Sequence, residues 1–124
     1  MDLVKVVAAV IRKHGRILLT SRPADKPPFG LEFPGGKVEP GETIHAALCR
    51  ELREELALRA LPGDVIYRAV NGKYLIYFIR TFVEDEAVIL PQEKQEFFWA
   101  KDNDRSIREK LLSSDRRFWD FLHP

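Results

Sequence analysis

A chain of 124 residues, 45% hydrophobic and 31% charged, has the size of one domain and is too apolar for disorder. Its 20 Lys and Arg against 19 Asp and Glu leave a formal charge of +1, which excludes a strongly basic surface for a nucleic-acid polymer or a membrane but not a small anionic ligand. The single cysteine, Cys49, excludes an internal disulfide framework; with no signal-peptide pattern and no apolar run near the roughly 18 residues of a membrane span, the expected location is cytoplasmic.

In chain order, VKVVAAVIRK (4–13) is a β-branched run suited to a buried strand, and His14-Gly15 turns it into a second strand, RILLTSR (16–22). The three prolines and glycine of PADKPPFG (23–30) predict a loop. Leu31 to Phe33 is short and extended, because Phe33 precedes a proline. Thr43 is placed to cap a helix over 44–56, whose Ile44, Leu48, Leu52 and Leu56 recur every four residues as a core-facing stripe. Ala46 stands where a capping-box acid would. Asn71-Gly72 predicts a type I′ hairpin between DVIYRAV and KYLIYFIRTFV. Short strands are expected at 88–90 and 96–100, then one or two helices over 104–122 with Ile107, Leu111, Phe118 and Leu122 facing inward. The order describes an α/β fold: a mixed sheet interrupted by one helix and closed by a terminal helix, in a single domain over 1–124.

The helix at 44–56 is unusual for its acids. At 100° per residue, Glu51, Glu54 and Glu55 fall within an arc of roughly 100°, with Glu55 next to the apolar stripe. Three such carboxylates repel unless a cation offsets them, and Arg50 can neutralise one of them. A hard divalent cation such as Mg²⁺ or Mn²⁺ is the natural complement, usually bringing a phosphate-bearing substrate. On the helix alone, a solvated face of alternating Arg and Glu is the plainer reading. Upstream, however, Gly35-Gly36 can bring backbone groups close to a ligand where side chains would obstruct it.

Gly36, Glu42, Arg50, Glu51, Leu52, Glu54, Glu55 and Leu58 match the Nudix box, G-x5-E-x7-R-E-U-x-E-E-x-G-U with U apolar. The chain therefore resembles the Nudix family over nearly its whole length, and LEFPGGKVEPGET resembles the MutT-like branch. Ala57 departs from the pattern, standing where the family has a glycine that eases the helix exit. The resemblance implies an α/β/α sandwich and a Mg²⁺-dependent enzyme, Mn²⁺ being a substitute. It would hydrolyse a nucleoside triphosphate, an oxidised purine such as 8-oxo-dGTP or a pyrimidine triphosphate, to monophosphate and pyrophosphate. Alternatives are another nucleoside-diphosphate linkage, as in a nucleotide sugar or dinucleoside polyphosphate, or a ligand-binding module without turnover. By the resemblance, Glu51, Glu54, Glu55 and the Gly35 carbonyl hold the metal, Arg50 orients a neighbouring carboxylate, and Gly36 and Glu42 support them from behind. Glu54 and Glu93 are joint candidates for the base that takes a proton from water, Glu96 being the rival of Glu93.

For the substrate, a small-molecule nucleotide, Arg22 matches a nucleotide-contacting arginine of MutT-like enzymes. Phe78 and Phe33 are read first as core-filling side chains, with stacking on a base as the functional alternative. Ser114-Asp115 falls near the position of a base-reading asparagine in MutT, and Asp115 is equally suited to cap the final helix. Lys37 is within reach of a phosphate in this reading or is simply an exposed loop lysine. His14, His45 and His123 show no zinc-ligand spacing, and Cys49 reads as packing. A monomer or a homodimer is expected.

Overall fold

The computed structural model describes residues 2–22, 30–92 and 95–124. The proline-rich stretch 23–29 and the candidate base Glu93 lie outside the described residues. Eleven elements are assigned among those described: β1 (Val4–Val10), β2 (Arg12–Lys13), β3 (Arg16–Ser21), β4 (Leu31–Glu32), β5 (Gly35–Lys37), α1 (Ile44–Leu56), β6 (Leu61–Asn71), β7 (Tyr74–Phe82), β8 (Phe97–Lys101), α2 (Arg105–Lys110) and α3 (Ser113–Leu122).

Two sheets form. One has the order β5-β1-β7-β6; β1 runs parallel to β7, with Val4 opposite Tyr74 and Val10 opposite Arg80, and antiparallel to β5. The other has β2, β3 and β4 in order, with β8 also paired to β3. The single run expected over 4–13 is divided between them: β1 belongs to the first sheet, β2 to the second, and the intervening Ile11 carbonyl accepts the Leu18 amide.

The β-branched composition of β1 is explained by burial on both faces. Alternate residues feed opposite sides, Ala8 and Val10 into one core cluster and Val7 and Ala9 into the other. The first cluster continues through Phe78 and Phe118 under α3; the second contains Ala47, Leu48, Leu52 and Leu56 of α1. The result is the expected sandwich, each helix covering one side of the strands. Leu48, Leu52 and Leu56 are fully buried and Ile44, in the first turn, is half-buried, so the four-residue stripe does face the core. Burying each leucine contributes about 1.5–3 kcal/mol.

The type I′ turn expected at Asn71-Gly72 is not found there, while the His14-Gly15 turn, for which no type was expected, has that pattern. His14 and Gly15 both have positive φ, the type I′ pattern, whereas the β6–β7 hairpin turns at Gly72-Lys73 with positive φ at Gly72 alone, the II′ pattern. Asn71 is the last residue of β6 and pairs with Tyr74. The strand expected at 88–90 is absent. Instead the Leu90 and Gln92 amides donate to the carbonyls of Leu56 and Glu55, satisfying acceptors left over at the end of α1. Among the described residues no helix is long and apolar enough to cross a membrane.

Candidate active site

Helix α1 begins where Thr43 accepts the Ala46 amide at 3.1 Å, replacing the missing capping box with a single bond. From there the helical period carries Arg50, Glu51 and Glu54 to one face, and β5 carries Gly35 and Gly36 alongside it.

Arg50 is the hub. Its Nε and Nη2 donate to the two oxygens of Glu42 at 2.8 and 2.9 Å, a bidentate pair. Nη2 also donates to the Lys37 carbonyl, and Nη1 reaches Glu51 at 3.0 Å and Glu54 at 3.3 Å. The Arg50 bonds, and the Glu39 amide, hold the Glu42 carboxyl down to about 2, while its carboxylate partners raise Arg50 further. Glu42 thus anchors Arg50, and Arg50 draws two carboxylates together. Glu51 is 15% exposed and Glu54 57%, a recessed acid beside one open to solvent. Glu55 is half-buried, as its place near the apolar stripe predicts.

The two glycines differ in use. A Cβ on Gly35 would fall on the Val7 backbone, so the fold itself requires glycine there. A Cβ on Gly36 would strike the Glu51 carboxylate, so this glycine keeps space for a functional group. At the far end, Ala57 adopts φ 54° and ψ 32°, the left-handed conformation that glycine takes without cost, and its amide folds back on the Arg53 and Leu52 carbonyls.

Among the described residues no three His, Cys, Asp or Glu side chains converge at metal-ligand spacing. The geometry instead shows Glu51 and Glu54 converging on Arg50.

Beside β5 opens a cleft of about 580 Å³, lined by Val6–Ala8, Arg22, Glu32, Phe33, Gly35–Lys37, Tyr74 and the start of α3. It joins the glycines of the acidic site to Arg22 and Asp115, two of the three substrate residues expected from sequence. The third, Phe78, takes its core-filling reading. Phe78 is fully buried, stacked on Phe118 at 4.3 Å between centroids, and does not line the cleft; Phe33 does, its ring edge-on to both.

Asp115 is not the cap of α3. That position belongs to Leu112, which makes no side-chain cap, and Asp115 sits in the first turn. Its Oδ1 accepts the Phe33 amide at 3.2 Å, tying α3 to the strand entering the acidic site. Burial, opposed by the Phe33 bond and reinforced by the Glu32 charge, pushes its carboxyl up to about 7. Glu32 is raised too, by burial, with Arg22 opposing at 3.7 Å. Glu32 and Tyr74 were not among the candidates from sequence. The one available signal for Glu32 is an acid in a short extended segment otherwise made of apolar residues. Tyr74 has no comparable signal; its place against the cleft, flanked by Lys37 and Lys73, comes from the β6–β7 turn.

A NUDIX domain matches residues 1–116. The CTP pyrophosphohydrolase of Escherichia coli K12 is 40% identical over 120 residues, covering 93% of this chain and 87% of that protein. An 8-oxo-dGTP diphosphatase of Haemophilus influenzae is 38% identical over 108 residues, covering 82% and 78%. The solution structure of the E. coli ORF135 protein superposes with a TM-score of 0.75 at 34% identity, over 97% of this chain and 88% of that one.

Proposed function

The chain belongs to the Nudix family, and from that premise we propose that it hydrolyses a nucleoside triphosphate to the monophosphate and pyrophosphate with a divalent cation. Mg²⁺ is the natural ion, with Mn²⁺ as substitute. The observation that carries this reading is the convergence of Glu51 and Glu54 on one nitrogen of Arg50, beside a glycine that leaves Glu51 room, at the edge of a cleft able to hold a base.

Among the described residues the three acids do not converge on one point, but the chemistry of the donors suits the ion. Carboxylate oxygens already drawn toward one positive centre are the donors a hard divalent cation selects. Glu51, Glu54 and Glu55 would hold it together with the Gly35 carbonyl. Once bound, it supplies Lewis acidity and lowers the cost of ionising water. The chain's own groups do the rest. Arg50, fixed by Glu42, keeps Glu51 and Glu54 in register, and Gly36 and Glu42 support them from behind. Glu54, the open acid of the face, and Glu93 are the two groups proposed to take the proton from the attacking water. Lys37, at the rim of the cleft, contributes positive charge where the phosphates leave the base site.

The base enters the cleft against Phe33, within reach of Arg22 and Asp115. A pyrimidine triphosphate such as CTP and an oxidised purine triphosphate such as 8-oxo-dGTP are the proposed substrates, supported by the relatives' activities. Incubation with a panel of normal and oxidised nucleoside triphosphates in Mg²⁺, with products identified, tests the proposal. Monophosphate and pyrophosphate are expected; no hydrolysis of any member would overturn it.

A further inference from the structure

A second cavity opens at the far end of α3, and the proposed reaction uses none of its residues. The first turn of α3 lines the base cleft and its last residues line this cavity. The two therefore stand at opposite ends of a ten-residue helix, about 15 Å along its axis. The cavity exists because the sheet outruns the helix that covers it. Alternate residues of β7 face α3: Ile76 and Phe78 are buried beneath it, while Arg80 and Phe82, next on the same face, are exposed. About 590 Å³ is left open there, with Val10 and Ile66 also lining it. That size is ordinary for a small-molecule site.

Charge and ring geometry say what fits. The described lining holds two arginines, Arg12 and Arg80, and no acid. Arg12 already has a partner that does not line the cavity, Asp102 at 3.3 Å, which His123 shares at 2.8 Å. Arg80 is exposed and makes no ion pair or side-chain hydrogen bond among the described residues. The rings are as informative. Phe78, Phe118 and Phe121 form a near-parallel series, with interplanar angles of 18° and 23°. Phe121 ends the series, 53% exposed and lining the cavity, and Phe82, 58% exposed, lines it too.

We propose that this cavity is a second ligand site, for a planar aromatic ring joined to a phosphate, the chemistry of a mononucleotide. The ring continues the series by stacking on Phe121 beside Phe82, and the phosphate pairs with Arg80. Arg12 adds positive charge while it keeps Asp102. Neither half of such a ligand suffices. A bare phosphate leaves the exposed rings uncovered, and a neutral aromatic leaves Arg80 without a counter-charge.

The test is a titration of ¹⁵N-labelled protein with cytidine monophosphate in EDTA, followed by amide NMR shifts, with cytidine alone and inorganic phosphate alone as parallel arms. With the nucleotide, the amides of Ile66, Arg80 to Phe82, Phe121 and Leu122 are expected to shift on one saturating curve. Either half alone should bind about tenfold or more weakly. Arg80→Gln should weaken the curve about tenfold or more, the worth of a hydrogen bond to a charged group. Phe121→Leu, which keeps apolar bulk and removes the ring, should weaken it about fivefold or more. Because both side chains are exposed, both variants should keep the native fold. Absence of a saturable shift at these amides, equal binding of cytidine or of phosphate alone, or a curve indifferent to either substitution overturns the site. Amides of Gly35 to Lys37 and of Ser113 to Asp115 report the base cleft separately. Nucleotide binding there, or its failure, bears on the hydrolytic reading and not on this site.

Discussion

The acidic face of α1 and the base cleft at α3 lie side by side and are built by opposite means. On α1 the functional acids come from one helix and are held by an arginine on the same helix, with Glu42 a few residues upstream. In the cleft, Arg22, Glu32, Tyr74 and Asp115 come from four separate segments and meet only through the packing of β4 and α3. Their electrostatics are opposed as well. Glu42 is held below the ordinary carboxylate range by a cation, whereas Asp115 is pushed above it by burial. The reaction face is thus organised by charge pairing, and the recognition face by withdrawal from water.

That contrast can be broken from either end, and the largest effect belongs to the reaction face. Glu54→Gln keeps the shape of a solvent-facing side chain while removing a carboxylate assigned to metal and base. Turnover should fall about 10²- to 10⁴-fold with an unchanged circular dichroism spectrum. Near-normal kcat in steady-state assays would remove Glu54 from its role.

Arg50→Lys comes next. Lysine cannot reproduce the two-point grip on Glu42 or reach Glu51 and Glu54 from the same position. A loss of about 10- to 100-fold in kcat/KM is expected. The same variant tests the acid limb. Because Glu42 is lowered to about 2, it contributes stability above its unfolded value of about 4.5 that is lost as pH falls toward 2. Thermal melts between pH 2 and 5 should show a smaller loss on acidification in Arg50→Lys, and an identical loss would mean that Arg50 is not what holds Glu42.

The recognition face has the reverse sign. A carboxyl raised to about 7 binds a proton in the folded state that the unfolded chain releases near 3.8, so stability declines as pH rises between those values. The native protein should melt roughly 5 °C or more higher at pH 5.5 than at pH 8. Asp115→Asn should reduce this difference, measured by calorimetry at both pH values. A difference that persists undiminished would place its source outside the cleft.

Smallest is Ala57→Gly, at the C-terminal end of the acidic helix. Relieving a left-handed alanine should stabilise the fold by about 0.5–1 kcal/mol, after the added chain entropy of glycine is subtracted. Denaturant unfolding measures it, and destabilisation would show that the alanine is not strained. Activity should follow the native enzyme, since Ala57 shapes the helix exit and supplies no ligand.

What could be read from the sequence follows the same division. A helix writes its geometry locally: Thr43, the leucine stripe and the acids of 51–55 all lie within a thirteen-residue helix and its N-cap, and the period alone predicts which side each faces. Arg50's hub role was only partly legible, because its strongest partner, Glu42, lies outside the helix and the Lys37 carbonyl carries no side-chain signal. The two readings of Phe78 could not be fully separated, because an aromatic in a strand looks alike whether it faces a cleft or a core; the seating of α3 puts Phe118 over it and makes it core. Asp115 looked like a cap because caps favour aspartate, but the helix begins at Ser113 and the carboxyl turns to Phe33, 82 residues earlier. The β6–β7 turn type was missed for a similar reason: Asn71 fits β6 as a paired strand residue, so the tight turn moves one position on.

The parallel pairing of β1 with β7 also reaches beyond the finished molecule. Val4 must wait for Tyr74, 74 − 4 = 70 residues later, before the central strand of the first sheet acquires its longer neighbour. At a synthesis rate of about 5–20 residues per second, that interval is roughly 4–14 s. Until then VKVVAAV can pair only with the three residues of β5, leaving its other edge open. During synthesis this edge of VKVVAAV therefore stays unpaired, open to other chains, until residues 74 to 82 are delivered.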